Sequence, residues 1–362
     1  MNWRYFNPVD VHFGPEELRN ASQNFADLSK TLLVTSRGMR ERGVIESLEL
    51  LINSRFDLIF DRVSPNPNVQ QIVEAGEELS ELNISNIVAL GGGSTIDFAK
   101  ALSILLHPEY DGSIEAQLEN GICKGQSIRV TAIPTTSGTG SEVTPFCTIW
   151  HQDLGRKYSL DSEMLFPKTA YLVPSLTIPL AKTETINTSL DALSHCVETL
   201  WNQKSTPLTR NLARLGIYKI VGNLHLAISE PHNLLARTEL QEAALFGGLA
   251  ISQNRTAIAH SMSYPLTAHF GVPHGVACSY SIPQLFKYLR NIVSLDMDSN
   301  LALTAASELV ESLDLVNTLL SYIKVDDVFS VSNEMINPSR AGNFLVPIDQ
   351  ATIFTILQSI FE

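Results

Sequence analysis

The sequence predicts an α/β domain followed by an all-α domain, and three observations carry that expectation. Over the first half, the short β-branched runs VDVHFG, KTLLVTSRG, DLIFDRV and NIVALGGG alternate with helix-compatible segments, the rhythm of a sheet built from βαβ units. After KTAYLVPSLTIPL those runs thin out and long helical patterns take over, in LTRNLARLGIYKIVGNLHLAI, RTELQEAALFGGLAIS and LALTAASELVESLDLVNTLLSYI. The 362 residues also exceed the size at which a single core keeps growing. Pro174 and Pro179 flank the change of texture, so the expected domains are residues 1–175 and 176–362.

Taken in order, RERGVIESLELLINSR reads as a helix between the second and third strands. NPNVQQIVEAGEELSELNIS carries Val69, Ile72, Val73 and Leu79 with Glu between them, an amphipathic helix feeding the strand NIVALGGG. Gly91, Gly92 and Gly93 then run into Ser94, Asp97 and a helix through Lys100 and Leu105. Glycines let backbone approach a phosphate closely, and a helix N-terminus offers unpaired N–H groups and a positive dipole end. A second strand, RVTAIP, ends in Thr135, Thr136, Ser137, Gly138, Thr139, Gly140 and Ser141. One glycine turn alone is often purely steric, but two such loops at strand ends favour a nucleotide-phosphate site.

In the helical half, NTSLDALSHCVETLW sets Asp191 and His195 four residues apart on one helix face. Such a pair supplies two ligands to a divalent transition ion, which normally wants three or four. The rest are sought in TAIAHSMSYPLTAHFGVPHGVACS, where His260, His269 and His274 fall close together and His274 sits in a Pro-His-Gly turn. Each histidine alone would be read as an ordinary polar residue; together with Asp191 they make Asp191, His195, His260 and His274 the leading ligand set.

Composition excludes other classes. A hydrophobic share of 44% and a charged share of 17% describe a well-buried globular chain. A formal charge of −13, with no long Lys/Arg cluster, argues against nucleic acid and against a membrane surface as partners. No apolar run approaches membrane-spanning length, and MNWRYFNPVDVHFG lacks the pattern of a signal peptide, so a cytoplasmic location is expected. Cys123, Cys147, Cys196 and Cys278 are scattered without a Cys-x-x-Cys, as free thiols in a reducing compartment would be.

Several motifs in order, VSPNPNVQQIVEAG, GGGSTIDFAK, PTTSGTGSEVT, NTSLDALSH, VPHGV and the closing NPSRAGN, give the chain a resemblance to the iron-containing alcohol dehydrogenase family over nearly its whole length. The resemblance implies a Rossmann-like cofactor domain and a helical metal-binding domain, the architecture shared with dehydroquinate synthase. It implies Fe(II) held by Asp191, His195, His260 and His274, although Zn(II) suits the same ligands. The nicotinamide cofactor maps onto Gly92, Gly93, Ser94, Asp97, Thr135, Thr136, Ser137, Thr139, Gly140 and Ser141, with Lys157 and Leu172 on the nicotinamide side. The implied reaction is reversible hydride transfer between a small aldehyde and its alcohol, in a homodimer.

Three positions depart from the family pattern. Ser36 and Arg37 stand where many members carry an Asp on the adenosine ribose, which opens the site to NADPH as well as NADH, with Arg37 or Arg40 able to pair with a 2′-phosphate. Tyr264 replaces a common His one turn after the third ligand. Arg255 replaces a small residue five positions before His260, bringing a permanent cation near the metal. That arginine, with the surrounding segments, resembles the branch that reduces phosphonoacetaldehyde to 2-hydroxyethylphosphonate. The competing accounts are an Arg255 that pairs with Glu198 or solvent in a general short-chain alcohol dehydrogenase, a dehydroquinate synthase-type lyase, and a non-catalytic binding protein.

Overall fold

The computed structural model describes residues 2–26, 28–120, 123, 125–151 and 156–362. The chain divides into two compact units. One comprises residues 7–136 and 141–177, the other residues 1–6, 137–140 and 178–362. The main division falls at 177/178, two residues beyond the boundary expected from sequence, and two short pieces cluster with the helical unit. The first does so because Phe6 exchanges hydrogen bonds with the Gln253 side chain and Tyr5 Oη donates to Leu249 O. The second does so because Gly138 abuts Thr188 and Gly140 abuts Gly248. A β-carbon on Gly140, whose φ is +64°, would collide with the Gly248 α-carbon, so that position tolerates no side chain.

In the α/β unit the strands are β1 (Asp10–Phe13), β2 (Thr31–Val34), β3 (Leu58–Phe60), β4 (Asn86–Gly91), β5 (Arg129–Pro134), β6 (Phe146–His151), β7 (Arg156–Asp161) and β8 (Thr169–Leu172). Six of them form a parallel Rossmann-like sheet in the order β1-β8-β5-β4-β2-β3. Its interior strands β2 and β4 are buried at every position, which is why they read as continuous apolar runs and not as alternation. The helix Val69–Leu79 buries Val69, Ile72, Ala75, Gly76 and Leu79 and is capped by Asn68, whose side chain accepts from Gln71 N. The remaining strands, β6 and β7, pair antiparallel as a separate hairpin that the sequence rhythm did not announce.

The second unit is helical. Its long helices Lys182–Leu200, Pro207–Ser229 and Leu234–Asn254 share a core that includes Leu190, Leu193, Val197, Ile217, Ile220, Leu240 and Ala243. Thr206 and Thr209 form a reciprocal capping box at the start of the second of these, with Pro207 at its first position. Shorter helices Ile258–Phe270 and His274–Ser279 follow. Among the described residues no helix is long and apolar enough to cross a membrane.

Candidate metal centre and cofactor site

The helix Lys182–Leu200 carries Asp191 and His195 one turn apart, and two later elements bring imidazoles to the same carboxylate oxygen. Nε2 of His195 and of His260 each lie 3.5 Å from Asp191 Oδ1, and Nε2 of His274 lies 3.7 Å from it. The His195 and His260 rings stack at 4.9 Å, and His274 meets His260 edge-on at 5.3 Å. Gly275 explains how His274 arrives: a β-carbon there would collide with the Asn187 carbonyl, so only glycine lets the short helix seat against Lys182–Leu200.

These residues fit a divalent transition ion. Separations of 3.5 to 3.7 Å are long for N–H···O hydrogen bonds but match the spacing of ligand atoms that each bind one ion at about 2.0–2.2 Å. His260 Nε2 is sealed from solvent with no hydrogen-bond partner among the described residues, an orphan that a metal would satisfy. Burial alone would raise the Asp191 carboxyl, but His195, His260 and His274 outweigh it and hold the group well below the usual carboxylate range. Asp191, His195 and His260 are buried, whereas the His274 side chain is 31% exposed, which marks the open side of the site.

Beneath His260 lies a residue that the sequence offers only as a partner for Arg255. Glu198 is fully buried and accepts from Ala257 N at 2.8 Å, from His260 N at 3.1 Å and from His260 Nδ1 at 2.7 Å. This fixes the ring and turns its Nε2 toward Asp191. Burial would lower the His260 imidazole, yet Glu198 and Asp191 prevail and push it up to about 9. The spacing Asp191, His195, Glu198 places all three on one helix face, a signal the sequence did hold. Cys278 is a second addition: its Sγ, Asp191, His260 and His274 present ligand atoms within 4.8 Å of one another. Burial first, then the Asp191 charge, push its thiol well above the ordinary value, and Ser194 Oγ donates to it at 3.2 Å. Cys278 therefore lines the same centre as Asp191, His260 and His274.

In the α/β unit, the parallel neighbours β2, β4 and β5 bring their carboxyl ends side by side, the crevice where open α/β sheets bind ligands. Gly92 and Gly93 open the helix Gly93–Leu105 there, and Thr135 N donates to Gly91 O at 3.0 Å. Thr135 Oγ1 is buried with no hydrogen-bond partner among the described residues, a hydroxyl that a bound cofactor would occupy; Thr136 follows it. Ser94 Oγ accepts from Asn66 N at 3.2 Å. Asp97 is buried, its Oδ2 accepting from Thr148 N at 2.8 Å, and Ser141 opens a buried 3-10 turn. Lys157 lies over the Trp150 ring at 5.8 Å, and Leu172 is buried at the end of β8. Ser137, Thr139 and Gly140 cluster with the helical unit. Ser36 precedes the helix Arg37–Glu41 at the carboxyl end of β2; the Arg37 side chain is 84% exposed, while Arg40 pairs with Asp61. Lys100, which the sequence shows only as a residue of this helix, is fully buried and donates to Thr144 O, Thr144 Oγ1 and Phe146 O, tying the hairpin to the Gly93–Leu105 helix.

Arg255 ends the helix Leu234–Asn254 with φ +64° and ψ 173°. Only glycine populates that region readily, and a side chain there costs of order 1–3 kcal/mol. Asn202 Nδ2 holds the conformation by donating to Asn254 O and Arg255 O, both at 3.1 Å. Burial first, then the nearby Arg340 cation, lower Arg255 to about 9 against the opposing effect of Tyr264. Tyr264, one turn after His260, accepts from Arg340 Nε at 3.2 Å.

Comparison with known proteins agrees with this geometry. Residues 8–174 match the family described as "Iron-containing alcohol dehydrogenase", and residues 185–338 match "Fe-containing alcohol dehydrogenase family, C-terminal". Aldehyde-alcohol dehydrogenase 2 of Entamoeba histolytica is 31% identical over 301 residues, 79% of this chain but 34% of that longer protein. The 4-hydroxybutyrate dehydrogenase of Cupriavidus necator is 28% identical over 87% of this chain and 84% of its own length. The crystal structure of sulfoacetaldehyde reductase from Bifidobacterium kashiwanohense in complex with NAD+ superposes with a TM-score of 0.84 at 27% identity, covering 99% of both chains. With both halves matched in order and the candidate metal donors gathered at one carboxylate oxygen, the chain belongs to the iron-containing alcohol dehydrogenase family.

Proposed function

We propose that this chain reduces a short aldehyde with an anionic tail to its primary alcohol, with phosphonoacetaldehyde as the substrate and 2-hydroxyethylphosphonate as the product. Asp191, His195, His260 and His274 would hold the metal, and Glu198 keeps the His260 Nδ1 proton in place so that Nε2 is the coordinating atom. When bound, iron supplies Lewis acidity at the aldehyde oxygen and the nicotinamide supplies the hydride. The helix beginning at Gly93 offers its N-terminal amides and dipole to the cofactor pyrophosphate. Ser36 and Arg37 leave the ribose end without a carboxylate in the usual place, which favours NADPH. Tyr264 Oη accepts from Arg340 Nε, which turns its own hydrogen away from that arginine and suits it to donate a proton to the product oxygen.

The observation that carries the tail assignment is Arg255. A cation kept in a glycine-type backbone conformation, five residues before a candidate ligand, is a costly feature that a neutral substrate does not need. A phosphonate gains charge-assisted, bidentate hydrogen bonds from it. Two relatives are named for substrates with anionic tails, sulfoacetaldehyde and 4-hydroxybutyrate. The test compares phosphonoacetaldehyde with propanal in wild type and in Arg255→Ala. Loss of a desolvated charged pair should lower kcat/KM for phosphonoacetaldehyde by about a hundredfold, chiefly through KM, and propanal should lose far less. Equal damage to both would make Arg255 a support of the metal centre, and a wild type that prefers propanal would return the chain to a general alcohol dehydrogenase.

A further inference from the structure

We infer that Arg340 is a second specificity-determining residue, and that with Arg255 it forms a two-guanidinium cradle selecting a doubly charged phosphonate over the isosteric, singly charged sulfonate. This rests on the anionic-tail reading above. Arg340 lies in the helix Pro338–Ala341, near the far end of the chain, and three hydrogen bonds around that turn dock it against the segment bearing Arg255, His260 and Tyr264. Ser261 Oγ donates to Met335 O at 2.7 Å, Asn337 N donates to Ser261 Oγ at 2.7 Å, and Asn343 Nδ2 donates to Thr256 O at 2.8 Å. Thr256 is the residue next to Arg255, so the turn that presents Arg340 also grips the backbone that presents Arg255. The Tyr264 hydroxyl accepts from Arg340 Nε at 3.2 Å, and both Tyr264 and Arg340 are close enough to Arg255 to act on its charge.

Arg255 Nη1 is sealed from solvent, and Arg340 is the largest charged influence upon Arg255, acting to discharge it. Bringing two guanidinium cations together in a partly dry place is unfavourable until an anion joins them. A single negative charge offsets one of the two, whereas a phosphonate dianion offsets both and offers three acceptor oxygens to the guanidinium forks. Sulfonate has the same tetrahedral shape and carries one charge at any neutral pH, so the pair of ligands isolates charge from size. Selection between them is therefore assigned to the second cation, Arg340.

The test uses the metal-loaded protein, with binding of the products 2-hydroxyethylphosphonate and 2-hydroxyethanesulfonate measured by calorimetry, and reduction of the two aldehydes measured beside it, at a pH where the phosphonate is doubly ionised. Wild type should bind the phosphonate about tenfold or more tightly than the sulfonate, and Arg340→Gln should bring that ratio close to one. Arg340→Lys should restore part of it, because an ammonium keeps the charge but loses the planar fork. An unchanged ratio in Arg340→Gln would overturn the inference, as would equal losses for both ligands and for propanal, which would assign Arg340 to holding Tyr264. A wild type that binds neither anionic product better than 1-propanol would instead overturn the anionic-tail reading itself.

Discussion

Replacing Glu198 by Gln tests whether the carboxylate beneath the metal centre does more than fill space. The native group takes three donors: Oε2 accepts from Ala257 N and His260 Nδ1, and Oε1 accepts from His260 N. An amide can keep its oxygen at the Oε2 position, but its NH2 then faces the His260 N–H, a donor against a donor in a fully buried place. In the flipped orientation the NH2 donates to Nδ1, which moves the imidazole proton to Nε2, the atom that must present a lone pair to the metal. The first orientation leaves a buried N–H unsatisfied at a cost of about 1–3 kcal/mol, and the second disables the ligand. Loss of the negative charge also makes the His260 ring a weaker donor. Metal affinity should therefore fall about 10–100-fold, which is about 1.4–2.8 kcal/mol. Competition against a chelator of known affinity, carried out well below the melting temperature, measures this directly, and thermal unfolding of the metal-free protein separates it from a general loss of stability. Wild-type affinity in Glu198→Gln would refute the argument, since the orientation of His260 would then owe nothing to the carboxylate.

Two further outcomes follow from other parts of the chain. Ser36→Asp introduces a carboxylate beside the proposed adenosine ribose and should shift preference from NADPH toward NADH by about tenfold, on the order of 1.4 kcal/mol; an unchanged ratio of kcat/KM for the two cofactors would show that this loop faces elsewhere. Glu142 is buried in the turn Ser141–Val143, and burial, opposed by its own backbone amide and by Lys100 and aided by Asp97, pushes its carboxyl from 4.5 up to about 7. The folded chain therefore holds that proton through a range in which the unfolded chain releases it. Its stabilising contribution is complete below pH 4.5 and is lost as pH rises through about 7. Glu142→Gln should match wild type in the acid range and exceed it at pH 8 by on the order of 3 kcal/mol, and denaturant melts at both pH values would expose an error if the difference were constant.

The α/β-then-helical order, the glycine loops at strand ends and the pairing of Asp191 with His195 were legible because each is written in local periodicity. Buried parallel strands appear as unbroken apolar runs, and a helix repeats every three to four residues, so neither needs knowledge of its partners. The same locality made Glu198 readable in principle, three residues beyond His195. What the chain order could not express is which distant groups meet. The sequence named His274 in preference to His269 from its Pro-His-Gly turn, but not how the two part company in space: Gly275 seats against the Asn187 carbonyl and brings His274 to 3.7 Å from Asp191, while His269 pairs with Glu334 at 2.8 Å. The β6–β7 hairpin is stitched to the sheet's helix by Lys100 and Asp97, polar residues on a segment that reads as an ordinary helix. Arg340 meets Tyr264 across 76 residues of sequence. Sequence alone determined the kinds of element and named the candidate donor residues, because burial patterns and ligand chemistry are properties of residues. Tertiary structure decided which of those atoms share a charge, a proton or an ion, because Coulombic and hydrogen-bond energies depend on distance in space, and close packing of chain-distant elements is what sets that distance.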